Sequence, residues 1–220
     1  MKYPVVRLMV GLMVRLMLGL VLLLPGLATA SEKAPHTLLV FGDSLSAAYG
    51  IDEEAGWVTL LAEKMQSDYW PIQVVNGSVS GETTTGGLAR LPAMLDSYNP
   101  DLVILELGGN DGLRGLPINL MRQNLATMVD LAQARGAIVL LVGIQIPPNY
   151  GPRYTEPFFA QFAELAAEKE LALVPFLIDG IPQQPELMQR DGIHPKAEAQ
   201  WMILENVWPE LEPLLHTVLE

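Results

Sequence analysis

The chain of 220 residues is half hydrophobic and carries 25 acidic against 13 basic residues, a formal charge of −12. That length and apolar content suffice for one sizeable core, and the acidic balance repels phosphate backbones and anionic lipid faces, so nucleic acid is excluded as a natural partner. No cysteine is present and the only histidines are His36, His194 and His216, which removes disulfides, thiol nucleophiles and thiolate sites and leaves no cluster suited to a metal centre; neither metal nor cofactor is expected.

Residues 1–30 contain Lys2, Arg7 and Arg15 but no acidic residue, then an uncharged run over 16–24, then Pro25-Gly26 and Ala28-Thr29-Ala30. This is the pattern of a secretory signal peptide cut after Ala30, placing the mature protein in the periplasm or outside the cell. Arg15 divides the apolar residues into pieces too short to span a bilayer, so no stable membrane anchor is expected. Cleavage leaves ten basic against 25 acidic residues, a charge of −15, and residues 31–220 as one domain. A monomer is expected.

Residues 37–41 have the length and residue types of a buried strand, ended sharply by Gly42-Asp43. Ser44 then falls at the strand's carboxyl end, where open α/β sheets place chemistry, and the run after it can begin a helix. Residues 57–67 carry Trp57, Leu60, Leu61 and Met65 at helical spacing. A short strand over 72–75 leads into a Gly-, Ser- and Thr-rich loop over 76–85, and a helix is predicted from about 88 to 97 with Pro92 in its first turn. Residues 101–107 form an apolar run broken only by Glu106, as in a strand buried on both faces. A helix over 119–135, a strand over 137–142, a long loop over 147–157, a helix over 158–170 and a strand over 171–174 follow. Strands alternating with helices predict an α/β fold, doubly wound and flavodoxin-like, with about five mostly parallel strands and helices on both faces.

Ser44, an alcohol, needs a base within hydrogen-bond reach that is itself oriented by a third group. His194 stands in Asp191-Gly192-Ile193-His194-Pro195, with Asp191 close enough on one loop to fix its tautomer. His36 lies at the opposite edge of the sheet and His216 in the tail, both read as surface residues. Gly81 follows the second strand, where a missing Cβ lets its N–H approach a ligand, and Asn110 follows the third, where its amide can donate to an oxyanion. With the Ser44 N–H these make three donors. Each feature also has a plain structural use: a turn, a glycine with positive φ, a helix cap. Asp43 and Asp111 are assigned that structural use.

Gly42-Asp43-Ser44-Leu45, then Gly81, then Gly109-Asn110-Asp111, then Asp191-x-x-His194 resemble the four ordered blocks of the GDSL (SGNH) hydrolases. Residues 87–92, 107–115 and 147–151 resemble the branch of bacterial thioesterases, arylesterases and lysophospholipases. The resemblance implies a serine hydrolase of acyl esters and thioesters acting on small molecules: Ser44 as nucleophile, His194 as base and acid, Asp191 as its orienter, and Ser44, Gly81 and Asn110 as the oxyanion hole. Leu113, Leu116, Ile118, Ile146, Pro147 and Tyr150 are the candidate substrate-binding residues, with residues 113–118 expected to form a movable wall. Gly-x-Ser-x-Gly, the mark of the other serine-esterase fold, is absent. A carbohydrate O-deacetylase on the same fold is a competing reading, as is a non-catalytic flavodoxin-like binding domain.

Overall fold

The computed structural model describes residues 35–220; the predicted leader lies outside the described residues. The described residues form five parallel strands: β1 (His36–Gly42), β2 (Ile72–Asn76), β3 (Leu102–Glu106), β4 (Ile138–Val142) and β5 (Ala172–Val174). Their order is β2-β1-β3-β4-β5, the flavodoxin-like winding anticipated from the alternation of elements. The connection from β2 crosses over β1 to reach β3, so the winding reverses between β1 and β3. A crevice opens there at the carboxyl ends of the strands.

The strands read as continuous apolar runs because both faces of the sheet are covered. Leu38, Val40, Leu102, Ile104, Leu140 and Val142 point to one face, beneath α1 (Trp57–Ser67) and α6 (Gln200–Leu219). Alternate residues, Leu39, Phe41, Val103, Leu105, Val139 and Leu141, point to the other, beneath α2 (Thr84–Tyr98), α4 (Ile118–Gln133) and α5 (Pro152–Lys169). Each such fully buried side chain stabilises the fold by roughly 1.5–3 kcal/mol, and the register Leu38↔Leu102, Leu39↔Val103 keeps both sets in phase.

Three local expectations are corrected. Helix α2 starts at Thr84 instead of residue 88, so Pro92 lies inside it; Thr83 caps the start by accepting from Gly86 N (3.3 Å), and Asp111 accepts from Thr84 N (2.8 Å). These contacts offset the poor helix propensity of Gly86-Gly87. Helix α5 begins at Pro152, which shortens the loop expected over 147–157. Gly151 turns the chain at φ 84°, Pro152 suits a first helical position, and Tyr154, Phe158 and Phe162 stack along one face with centroids 6.3 and 5.7 Å apart. Residues after Ser44 form turns instead of a helix: Ala47 N donates to Asp43 O (3.0 Å), but Ala48 takes φ 54°, and the helical path stops.

Candidate active site

Ser44 follows β1 and Asn110 lies in α3 (Gly109–Leu113), the short helix after β3, so the two flank the winding reversal. His194 arrives from 150 residues away, in the loop before α6, with Nε2 2.8 Å from Ser44 Oγ. Its Nδ1 lies 2.7 Å from Asp191 Oδ2. An ionised Asp191 can only accept, so Nδ1 carries the proton and Nε2 is left to accept from the Ser44 hydroxyl. Partial burial pushes Asp191 up, but hydrogen bonds from the His194 ring and from the backbone N–H groups of Ile193 and His194 outweigh it and hold the carboxyl below its usual range. The carboxylate stays charged where it is needed.

The histidine loop is fastened from several sides. Asp191 Oδ1 accepts from Ile193 N (2.9 Å) and His194 N (3.1 Å), while Gly192 supplies the positive φ, 68°, that the turn requires. Gln189 N donates to His194 O (2.8 Å), and the Gln189 amide donates to Tyr49 O (2.8 Å), tying this loop to the segment after Ser44. The Tyr49 ring packs on the imidazole at 4.5 Å between centroids. His36 instead pairs with Asp101 (3.0 Å) at the amino edge of the sheet and is mostly buried, not the surface residue expected, and His216 packs on Trp70. Both are far from Ser44 in the fold, as expected.

Gly81 and Asn110, the expected oxyanion donors, are carried by two neighbouring segments. Gly81, at φ 79°, sits in the loop after β2; this loop is docked against the start of the Ser44 turn through Val79 N to Gly42 O (3.0 Å). Arg114 Nη2 donates to Gly81 O (2.8 Å), and Arg90 braces the same loop through Glu82 (3.1 Å) and Gly77 O (2.6 Å). Asn110 lines a cavity of about 40 Å³ together with Ser44. One N–H of its amide donates to Asp43 Oδ2 (3.0 Å), leaving the second free. Among the described residues no group of three or more His, Asp or Glu side chains is arranged to hold a metal ion.

A model of the GDSL-like lipase/acylhydrolase family matches residues 40–202. The chain belongs to that family. It is 54% identical over 184 residues to esterase TesA of Pseudomonas aeruginosa, covering 84% of this chain and 92% of that protein. It is 44% identical over 190 residues to thioesterase 1/protease 1/lysophospholipase L1 of Escherichia coli K12, covering 86% and 90%. Among solved structures, the esterase EstA from Pseudoalteromonas sp., inhibited by monoethylphosphonate, superposes with a TM-score of 0.79 at 42% identity, covering 82% of this chain and 99% of that one.

In this GDSL-like chain the cavity at Ser44 is walled by Leu45, Leu113, Ile144, Ile146, Pro147, Phe176, Ile178 and Ile193. It shares Gln145, Ile146, Pro147, Phe176, Ile178 and Ile193 with a wider cavity of about 580 Å³ that reaches Phe159, Pro182 and Met188. Of the six predicted substrate-binding residues, Leu113, Ile146 and Pro147 line these spaces. Leu116, Ile118 and Tyr150 do not. Ile118 packs into the core as α4 begins, Leu116 O accepts from Tyr154 OH (3.4 Å), and Tyr150 OH donates to Leu113 O (2.9 Å). The expected wall over 113–118 therefore contributes only Leu113 at the cavity, and the tyrosines fasten it to the residues around α5. Phe176 and Ile178, which the sequence left unmarked, follow β5 on an irregular segment with no periodicity to show which way they face. Asp111 has the structural use assigned to it, bracing Thr84. Asp43 does more than turn the chain, since it holds Asn110.

Proposed function

We propose that the protein is a serine esterase that hydrolyses acyl esters and thioesters through an acyl-enzyme on Ser44. The observation that carries this is the unbroken hydrogen-bonded line from Ser44 Oγ through His194 to Asp191, at 2.8 and 2.7 Å. Ser44 Oγ attacks the carbonyl carbon as His194 Nε2 takes its proton, and the carbonyl oxygen becomes an oxyanion facing the N–H groups of Ser44, Gly81 and Asn110. Collapse breaks the bond to the leaving oxygen or sulfur, which receives the proton from His194. Water, deprotonated by the same imidazole, then attacks the acyl-enzyme, and the carboxylic acid departs as Ser44 regains its proton. The relatives' names, esterase and thioesterase, agree with this reading.

Apolar walls beside Ser44 favour a hydrocarbon acyl group over an acetylated sugar, which would leave its hydroxyls without partners. The leader-like residues 1–30 support export, with a mature chain starting at Ser31, which N-terminal sequencing of the exported protein checks. Among the described residues no helix is long and apolar enough to cross a membrane.

Ser44→Ala and His194→Ala should each abolish hydrolysis of p-nitrophenyl and thioester substrates, and the double variant should lose little more, because the groups act as a unit. His36→Ala and His216→Ala are the controls. If turnover survived in His194→Ala but fell in either control, the assignment would be wrong.

A further inference from the structure

Glu106 has no part in the chemistry above, yet it is fully buried directly under it. Among the described strands it is the one acidic side chain, and the register sets it opposite Gly42 on β1. Its Oε2 accepts from Asp43 N (3.1 Å) and from Ser46 Oγ (2.8 Å), so it grips the nucleophile turn on both sides of Ser44. Gly42 makes the room: a Cβ there would lie 2.4 Å from Oε2. Asp43, nearly as buried, passes the connection on. Its Oδ1 accepts from Leu45 N (3.1 Å) and its Oδ2 from Asn110 Nδ2 (3.0 Å).

We propose that Glu106 is a positioning residue for acyl transfer: its carboxyl holds the Asp43–Ser46 turn against the end of β3, and through Asp43 it fixes the Asn110 amide that faces the oxyanion. The geometry also divides the work between the two acids. Two carboxyls side by side in a dry site cannot both ionise cheaply. Both Asp43 oxygens meet N–H donors, so Asp43 takes the charge. Glu106 has two donors on one oxygen and none on Oε1, the arrangement of a neutral acid accepting at its carbonyl oxygen and carrying its proton on the other. Burial holds Glu106 well above the ordinary carboxylate range, and the charge of Asp43 raises it further. A neutral acid can be mimicked by an amide; an apolar isostere supplies no acceptor.

The inference rests on the proposed roles of Ser44 and Asn110, and the experiment keeps the two levels apart. Full-length Glu106→Gln, Glu106→Met, Asn110→Ala and the Glu106→Met/Asn110→Ala double variant are assayed on one p-nitrophenyl ester, with active sites counted by a phosphonate that labels Ser44 and folding checked by thermal melting. Glu106→Met should lower kcat about tenfold or more with KM little changed, as expected for a misplaced oxyanion donor, and Glu106→Gln should recover most of that loss. In the Asn110→Ala background the cost of Glu106→Met should shrink to about threefold or less, because its effect passes through the missing amide. Full kcat in Glu106→Met, a loss confined to KM, no recovery by Gln, or an undiminished cost without Asn110 would each overturn the proposal. If Glu106→Met yields no folded protein, Asp43→Asn replaces it in the same cycle: it turns one accepting oxygen into a donor that meets an N–H, and must show the same coupling to Asn110. Ser44→Ala reports separately on the nucleophile, since activity surviving there would sink the proposed function and not merely the role of Glu106.

Discussion

Phe159 offers a sharp test of where the acyl chain goes. It stands on α5, half-exposed, and lines the cavity of about 580 Å³ without touching the smaller space of about 40 Å³ beside Ser44. An acetyl group fits within the smaller space, whereas the later carbons of a long chain must continue into the larger. Each methylene removed from water contributes about 0.8 kcal/mol; if the Phe159 ring covers two to three methylenes, it supplies roughly 2 kcal/mol to the long-chain transition state and nothing to acetate. Phe159→Ser should therefore reduce kcat/KM for the decanoate ester of p-nitrophenol about thirtyfold while leaving the acetate ester within about twofold. Because the phenol is common to both esters, any effect on the leaving group appears equally in both. An equal loss on the two esters would assign the wider cavity to the leaving group, and no loss on either would remove it from the binding path; both results refute the reasoning.

Asn110→Ala should lower kcat by about two to three orders of magnitude with KM little changed, the cost of one oxyanion donor; a change confined to KM in steady-state assays would make Asn110 a binding or capping residue instead. The buried acids predict an unusual pH dependence of stability. Burial raises Asp43 from 3.8 to about 6, so the folded state holds its proton more tightly than the unfolded chain, and the corresponding stability is present below about pH 4 and lost as pH rises through about 6. That loss is about 3 kcal/mol, opposed by the gain from Asp191, whose carboxyl is held low. Glu106, held well above its ordinary range, adds a decline of its own over the same window, so Asp43→Asn, followed by thermal melting between pH 4 and 7, should make the decline shallower and Asp43→Asn/Glu106→Gln should remove most of it; an unchanged slope in both would place the titration elsewhere. In this reading the charge on Asp43 is kept at neutral pH at the expense of stability because Asn110 needs it, a common trade at functional sites.

Much of the protein is legible from the order of its residues. The apolar runs that become β1, β3 and β4 are continuous because both faces of the sheet are covered, so their type and their parallel pairing followed from composition and from alternation with helices. The sharp stops at the ends of β1 and β3 located Ser44 and Asn110 for the same local reason: Gly and Asp are poor residues for prolonging a buried strand. Asp191 and His194 were readable as a pair because three residues separate them on one loop. What local sequence cannot carry is a contact between residues far apart in the chain. Whether His194 reaches Ser44 depends on how the whole sheet and α6 pack. The start of α2 at Thr84 depends on Asp111, from another segment, overriding the weak helix propensity of Gly86-Gly87. Leu116 and Ile118 looked equivalent to Leu113 by proximity to Asn110, and Tyr150 to Pro147 by sharing its loop; only tertiary contacts, with the core under α4 and with α5 and Leu113, turned them away from the cavity. Glu106 was visible from the start as the one interruption in an apolar strand; its meaning lay in Asp43, Ser46 and Asn110, which tertiary structure alone brings within hydrogen-bond reach of one another.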